Sequence, residues 1–243
     1  MKYFLTGRTG FIGYHLFKKL IDDGHEVFTN MRNFHTEKYD AVIHLAAVTH
    51  TLTHFDPRLI QSNIILTNDV FKKNCKIIYA SSCSAKHITN PYAYTKAWSE
   101  YCGSIHGNSI GLRFHNVYGN YNNKGIIHYL EKCPNGHKIN VRGVDIVRDY
   151  VYVLDVIDFI VSILSEDSQQ KTSRVIDVGT GVGTKTIDVV KTYMDISGKT
   201  FEIEESEAWS TEPKIMVSNN VLAGSLSLSD GIKKMIDTKT FKT

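Results

Sequence analysis

No apolar run in these 243 residues is long enough to span a bilayer, which excludes a helical membrane protein. A secretory leader is equally unexpected, because Met1-Lys2-Tyr3-Phe4-Leu5 reads as a core strand and leaves no room for one. The four cysteines, Cys75, Cys83, Cys102 and Cys133, fall at no metal-binding or redox spacing. Reduced thiols and a cytoplasmic location are therefore expected. Charge of one sign is also lacking: 28 Lys and Arg stand against 25 Asp and Glu, a formal net charge of +3. The basic residues are scattered, which argues against nucleic acid as a partner and leaves room for an anionic small molecule. His50 and His54 would share a helix face, but no glutamate or third ligand accompanies them, so no metal site is expected. With no internal repeat and no low-complexity linker, residues 1–243 read as one chain unit, long enough for an α/β domain with a small appended lobe.

What the chain does contain starts at its first strand. Thr6-Gly7-Arg8-Thr9-Gly10-Phe11-Ile12-Gly13 follows the apolar opening and leads into an amphipathic stretch, His15 to Asp23. The order is strand, glycine turn, helix. In such a turn Gly7 takes backbone angles closed to other residues, Gly10 lets the main chain approach a pyrophosphate, and Gly13 lets the helix lie close on the strand. The positive end of the helix would face the phosphates. The spacing G-x-x-G-x-x-G departs from G-x-G-x-x-G, so a glycine turn in some other α/β protein fits these residues too.

Glu26 to Asn30 reads as the second strand, and the residues at its end bear on the cofactor. An acidic side chain there accepts from an adenosine ribose, whereas an arginine suits a 2′-phosphate. Met31-Arg32-Asn33 occupies the place, with no Asp or Glu until Glu37. NADP is favoured over NAD on this ground, and a solvated surface charge is the plain alternative for Arg32. Only about ten residues separate this strand from the apolar run Tyr39 to Ala47, too few for another crossover helix and strand. One strand-helix unit is expected to be missing.

Helical periodicity returns from Asp56 to Lys73, and Lys76 to Ala80 reads as a strand ending in Ser81-Ser82-Cys83-Ser84. Pro91 opens a helix running to about Ile105, and Ser109 to Phe114 is a further strand. The stretch 120–143 is irregular apart from a helix near Ile126 to Lys132. A strand at Val147 to Val153, a helix at Leu154 to Leu164, a strand at Val175 to Val178 and helices at Ile187 to Met194 and Leu228 to Ile236 complete the pattern. This alternation predicts an α/β chain with a doubly wound parallel sheet. A nucleotide-binding part is expected over residues 1–113 and 146–180, and a small C-terminal substrate lobe over 114–145 and 181–243.

Tyr92 and Lys96 fall four apart on the helix that Pro91 opens, and so on one face. A tyrosine with its ordinary pKa of about 10 is a poor base at neutral pH. An ammonium one turn away and a bound oxidised nicotinamide both favour the phenolate. Tyr92 would then take a proton from a substrate hydroxyl while the adjacent carbon gives hydride to the cofactor, or act as the acid in reverse. Ser82, at a strand's C-terminal end, would hydrogen-bond the same oxygen, and Lys96 would also reach the nicotinamide ribose. Alone, Y-x-x-x-K is equally a surface pair; its order after the glycine turn and the strand-end serines carries the reading.

With these residues in place, the chain resembles the extended short-chain dehydrogenase/reductases, specifically the NAD(P)-dependent nucleotide-sugar epimerase/dehydratase family. The likeness rests on T-G-R-T-G-F-I-G at Thr6 to Gly13, H-L-A-A at His44 to Ala47, Asn63, Y-A-S-S at Tyr79 to Ser82 and P-Y-A-Y-T-K at Pro91 to Lys96. It continues through R-F-H-N-V-Y-G at Arg113 to Gly119, V-R-D-Y-V-Y-V-L-D at Val147 to Asp155 and D-V-G-T-G-V-G at Asp177 to Gly183. The resemblance implies a Rossmann-type fold with the glycine turn at the pyrophosphate and Leu45, Ala46 and Ala47 beside the cofactor riboses. Asn63 would support that loop. Ser82, Tyr92 and Lys96 match the family's catalytic triad, with Ser81 or Ser84 as alternatives to Ser82. Asn116 and Arg148 match residues at the substrate diphosphate, where guanidinium geometry suits phosphate; Arg148 is otherwise a structural partner for Asp149 or Asp155. A homodimer through the helices near Asp56 to Lys73 and Tyr92 to Ile105 is implied too.

Departures from the family pattern narrow the activity. The aspartate that meets adenine has no place in the shortened segment after the second strand. Nine residues lie between Ser82 and Tyr92, and the family's longer loop there is missing. Dehydratases follow the catalytic hydroxyl with Asp-Glu, whereas this chain has Cys83-Ser84. Around Thr211 to Lys214 nothing matches the arginine and aspartate that help hold a nucleotide-sugar. Oxidation and reduction at a single carbinol remain, as a nucleotide-sugar epimerase or keto-sugar oxidoreductase. The alternatives are an NADP-dependent reductase of a small non-sugar carbonyl and a non-catalytic NADP-binding sensor or scaffold.

Overall fold

The computed structural model describes residues 1–49, 56–166 and 172–240, so His50 and His54 lie outside the described residues. The chain begins with β1 (Lys2–Thr6), α1 (Phe11–Asp22), β2 (Glu26–Phe28), α2 (Met31–Phe34) and β3 (Ala41–His44). A helical segment follows in three pieces: α3 (Pro57–Leu59), a π-helical turn (Ile60–Ile65) and α4 (Leu66–Val70). Next come β4 (Lys76–Ser82), a 3-10 turn (Cys83–Lys86), α5 (Pro91–His106) and β5 (Ser109–Phe114). Then follow β6 (Asn116–Tyr118), α6 (Ile126–Lys132), β7 (Lys138–Arg142), β8 (Val147–Tyr152), α7 (Val153–Leu164) and β9 (Ser173–Val178). The chain continues through β10 (Gly183–Lys185), α8 (Thr186–Ser197), β11 (Glu202–Ser206), β12 (Ile215–Met216) and α9 (Leu228–Thr240). These elements form two units, Met1–Phe114 with Ile157–Asp177, and His115–Val156 with Val178–Thr243.

In the first unit a six-stranded sheet runs β2-β1-β3-β4-β5-β9, and the pairings from β2 to β5 are parallel. This is the doubly wound Rossmann order without its outermost strand. The missing strand-helix unit is bridged by α2, one helical turn whose Phe34 is fully buried. Its ring lies 4.7 Å from that of Phe4 and joins Tyr39, Val42, Val70, Ile77 and Tyr79 in the core. Apolar side chains thus cover a sheet face that a longer crossover would otherwise shield. β3 is buried throughout, as a parallel strand covered on both faces must be.

In the second unit β8 is central: β10 pairs with it antiparallel, β12 and β6 parallel. Residues 146–156, expected with the nucleotide-binding part, therefore belong to this unit, because the ladder partners of β8 are here. β7 and β11 form a separate parallel pair. β7 lies in the stretch that reads as irregular, although it alternates exposed and buried residues along Lys138-Ile139-Asn140-Val141-Arg142, and β11 lies where no element was expected. Lys199 closes the C-terminal end of α6, its Nζ donating to the carbonyls of Glu131 at 2.7 Å and Cys133 at 2.8 Å. Among the described residues no helix is long and apolar enough to cross a membrane.

Candidate active site

The glycine turn joins β1 to α1. Gly7 has φ +77°, and a Cβ built on it would stand 2.6 Å from the Ala46 nitrogen and 2.7 Å from the Leu45 carbonyl carbon. The loops leaving β1 and β3 therefore touch backbone to backbone. Gly10 donates to the Gly7 carbonyl at 2.9 Å, and Gly13 is buried against the same group. No side chain caps the N-terminus of α1, and its first turn holds no acidic residue. Its leading N–H groups are left for a ligand. Arg8, Thr9 and Gly10 are exposed and Phe11 and Ile12 half-buried, with the Arg8 guanidinium 4.8 Å from the Phe17 ring. Backbone donors, a positive helix end and glycine clearance fit the pyrophosphate of a dinucleotide.

Beneath the turn lies a polar network that the sequence reading missed. His44 Nδ1 is 2.8 Å from Thr6 Oγ1 and its Nε2 is 3.0 Å from Thr67 Oγ1. Thr6 Oγ1 also accepts from the Ala46 N–H at 3.1 Å, fixing the half-buried Leu45-Ala46-Ala47 loop. Burial, aided by repulsion from Lys96, lowers the His44 pKa from 6.5 to about 3 and keeps the ring neutral. A lone histidine in the apolar run Ala41 to Ala47 was the available signal. Asn63, buried within the π-helical turn, accepts from the Val48 N–H at 2.8 Å and donates to the Val48 carbonyl at 2.9 Å. It also donates to Thr95 Oγ1 at 3.0 Å, and Thr95 in turn donates to the Tyr92 carbonyl at 2.8 Å. The wide turn that places Asn63 is why Asp56 to Lys73 is not one regular helix.

Ser82, Tyr92 and Lys96 are brought together in the first unit. Asn90 caps α5 by accepting from Ala93 N–H at 2.9 Å, and Pro91 occupies its first position, which sets Tyr92 in the opening turn. Burial pushes the Tyr92 pKa up to about 12, while its hydrogen bond with Ser82 pulls it down. A lowering of this phenol by Lys96 was expected; burial is the larger influence instead and holds the phenol neutral. Lys96 is 4 % exposed, lies 5.8 Å from the Tyr92 ring centre and donates to the Ala80 carbonyl at 2.8 Å. Burial lowers its own pKa to about 8.

The neighbouring serines have other partners. Ser81 donates to Glu100, whose carboxylate also takes both Nε and Nη2 of Arg113, at 2.7 and 2.6 Å. Ser84 donates its N–H to Ser82 Oγ at 3.2 Å. Ser82 is thus the hydroxyl at the phenol. Arg32 sits on α2 with an exposed side chain, and its backbone N–H caps on Asn30 at 3.0 Å.

In the second unit, Asn116 lies opposite Tyr150 on β8 and hydrogen-bonds its phenol, which burial drives to about 12. Arg148 is buried, and its Nη2 donates to Glu212 at 2.8 Å while Nη1 donates to the Val147 carbonyl at 2.9 Å. The ion pair of Arg148 is thus with Glu212, while Asp149 is engaged by Thr180, Gly181 and Ser218, and Asp155 accepts from the Leu226 N–H at 2.8 Å.

A Rossmann sheet with a glycine turn and a Ser-Tyr-Lys cluster defines a dinucleotide-binding protein of the short-chain dehydrogenase/reductase type. The model of the NAD dependent epimerase/dehydratase family matches residues 28–179, and the chain belongs to that family. It is 27% identical over 221 residues to the bifunctional UDP-glucose 4-epimerase and UDP-xylose 4-epimerase 3 of Arabidopsis thaliana, covering 70% of this chain and 63% of that protein. With the dTDP-D-glucose 4,6-dehydratase of Dictyostelium discoideum it shares 28% identity over 204 residues, 68% of this chain and 46% of that one. The chain thus spans about half to two thirds of the length of these relatives. The fold also matches UDP-glucuronic acid 4-epimerase from Bacillus cereus, solved with UDP-glucuronic acid and NAD, at TM-score 0.83 and 20% identity over 100% of both chains.

Proposed function

We propose that this chain catalyses NAD(P)-dependent oxidation and reduction at one carbinol of a nucleotide-sugar, as an epimerase or a keto-sugar oxidoreductase. The observation that carries this reading is the Tyr92 hydroxyl hydrogen-bonded to Ser82, one helical turn from a buried Lys96. The nicotinamide, when bound, supplies or accepts the hydride. Ser82 orients the substrate oxygen. Tyr92, neutral before ligands bind, holds the proton at its Oη and donates it to a carbonyl oxygen in the reductive direction. Lys96 gives one of its three donors to Ala80 and leaves two to hold a ribose and to favour the phenolate when Tyr92 acts as the base. The Cys83-Ser84 pair offers no acid and base for loss of water, which argues against dehydration.

Arg32 supports NADP over NAD, since its exposed side chain stands after β2 with no acidic residue until Glu37. Asn116 and Arg148 are assigned to the substrate diphosphate. An apolar groove of about 480 Å³, lined by Ile60, Ile64, Pro91, Tyr94, Thr95 and Trp98, supports a homodimer through these helices. No disulfide joins the four cysteines, which supports a cytoplasmic location.

The test is Tyr92→Phe assayed against UDP-sugars, with NAD and NADP binding measured in parallel. Turnover should fall by about a thousandfold with cofactor affinity kept; unchanged turnover removes Tyr92 from its role. A second reading, reduction of a small non-sugar carbonyl, is favoured by the ion pair that already engages Arg148. Arg148→Ala separates the two, because it weakens a diphosphate substrate and spares a neutral ketone.

A further inference from the structure

We propose that Glu212 is a built-in competitor for the anion site at Arg148, so that it sets how much negative charge a substrate must bring; this rests on the nucleotide-sugar reading above. The Arg148 side chain is only 9% exposed, and a buried guanidinium needs a counter-charge at all times. Glu212 supplies it through Nη2 at 2.8 Å. The Val147 carbonyl and Glu212 take two of the five N–H donors of the guanidinium, so a phosphate can reach the remaining ones, but it then stands beside the carboxylate and the two like charges repel until Glu212 gives way.

The segment carrying Glu212 is anchored at its ends and lightly held between them. At its far side β12 pairs with β8 at Val147 and Arg148, and the Lys214 carbonyl accepts from the Val147 N–H at 2.8 Å. At its near side Trp209 lies under the Arg142 guanidinium at 4.3 Å. Between them a turn closes through the Glu212 N–H and the Trp209 carbonyl at 2.9 Å. Trp209 is 59% exposed and Ser210 and Thr211 are exposed, so no buried apolar side chain pins the turn. Its hold on Arg148 is chiefly the ion pair, an interaction that an oxyanion of higher charge can outcompete. The same turn engages a second arginine, Arg142, through the indole face. A neutral ligand gains nothing by displacing Glu212, whereas a diphosphate regains the charge pairing that it breaks.

The experiment is calorimetric titration of the full chain with UDP, inorganic pyrophosphate and uridine, in the wild type, Glu212→Gln and Arg148→Ala. Glu212→Gln keeps shape and hydrogen-bonding capacity and removes the charge. It should bind UDP and pyrophosphate about tenfold more tightly and uridine unchanged, while Arg148→Ala loses the two phosphorylated ligands. A carboxylate that only props up the fold would lower the melting temperature of Glu212→Gln without this phosphate-selective gain. Equal or weaker UDP binding in Glu212→Gln, with binding lost in Arg148→Ala, overturns the competitor and leaves the nucleotide-sugar reading standing. Absence of UDP and pyrophosphate binding in both the wild type and Glu212→Gln removes the nucleotide-sugar reading and the competitor together.

Discussion

Asn63 grips Val48 by both of its backbone polar atoms, accepting from the N–H at 2.8 Å and donating to the carbonyl at 2.9 Å. A loop that leaves a parallel strand has no ladder partner for these groups, and one buried amide satisfies both. The remaining Asn63 hydrogen reaches Thr95, between Tyr92 and Lys96 on α5. Asn63→Ala should therefore cost about 3 kcal/mol of stability, measured by urea unfolding, and should raise the cofactor dissociation constant. A variant with normal stability and normal NAD(P) affinity would show that the loop keeps its place without this amide.

Lys96 predicts a conflict between stability and activity. Its pKa falls from 10.5 to about 8 on folding, because burial disfavours the ammonium. Between those values the unfolded chain holds a proton that the native chain has released, so Lys96 makes stability rise as pH climbs from about 8 to 10.5. Below that window the burial penalty is present in full, about 3 kcal/mol, offset in part by the Ala80 hydrogen bond. Lys96→Met should unfold at higher urea than the wild type at pH 7, lose the alkaline rise and be inactive. Lower stability of the variant at pH 7 would show that the Ala80 bond outweighs desolvation.

His44 acts at the other end of the pH scale. Its folded pKa of about 3 lies below the ordinary 6.5, so as pH falls the unfolded chain takes up a proton that the native chain refuses. Stability is lost progressively from pH 6.5 downward, and at pH 4.5 His44 alone should account for about 2.5 kcal/mol. Urea midpoints at pH 7 and 4.5 for the wild type and His44→Gln check this. The glutamine variant should begin less stable at pH 7 and lose less on acidification; parallel losses in the two proteins would mean that His44 is accessible to protons.

Much of the first unit was legible because its signals are local. The apolar strand β3, the glycine turn and the Asn90-Pro91 start of α5 each state their own geometry in adjacent residues. The missing strand-helix unit followed from chain length alone, since about ten residues cannot make a crossover. The network of Thr6, His44 and Thr67 was not legible, because its members meet only after three elements, β1, β3 and α4, have packed. The strands β10 and β12 are 3 and 2 residues long and take their identity from pairing with β8, so periodicity had too little length to act on. Glu212 had no pattern at all: the turn between β11 and β12 carries it to Arg148 across 64 positions of sequence.

The assignment of Arg148 to Glu212 rather than to its neighbour Asp149 can be measured as a coupling energy. Asp149 is completely buried and accepts from the Thr180 N–H and hydroxyl at 2.9 and 2.7 Å and from the Gly181 and Ser218 N–H groups at 2.8 and 3.2 Å. Its charge is satisfied by dipoles on the turn after β9 and near β12, so Asp149→Asn should cost about 3 kcal/mol by turning an amide toward N–H donors. Most of that loss should persist when Arg148 is replaced by Ala as well. The Arg148–Glu212 pair should instead show a coupling of about 1 kcal/mol in a double-mutant cycle, each single change leaving the other's charge without its partner. Urea unfolding of the two cycles decides the matter: a larger coupling to Asp149 than to Glu212 would place the guanidinium's counter-charge on its own strand and leave Glu212 with nothing to compete for.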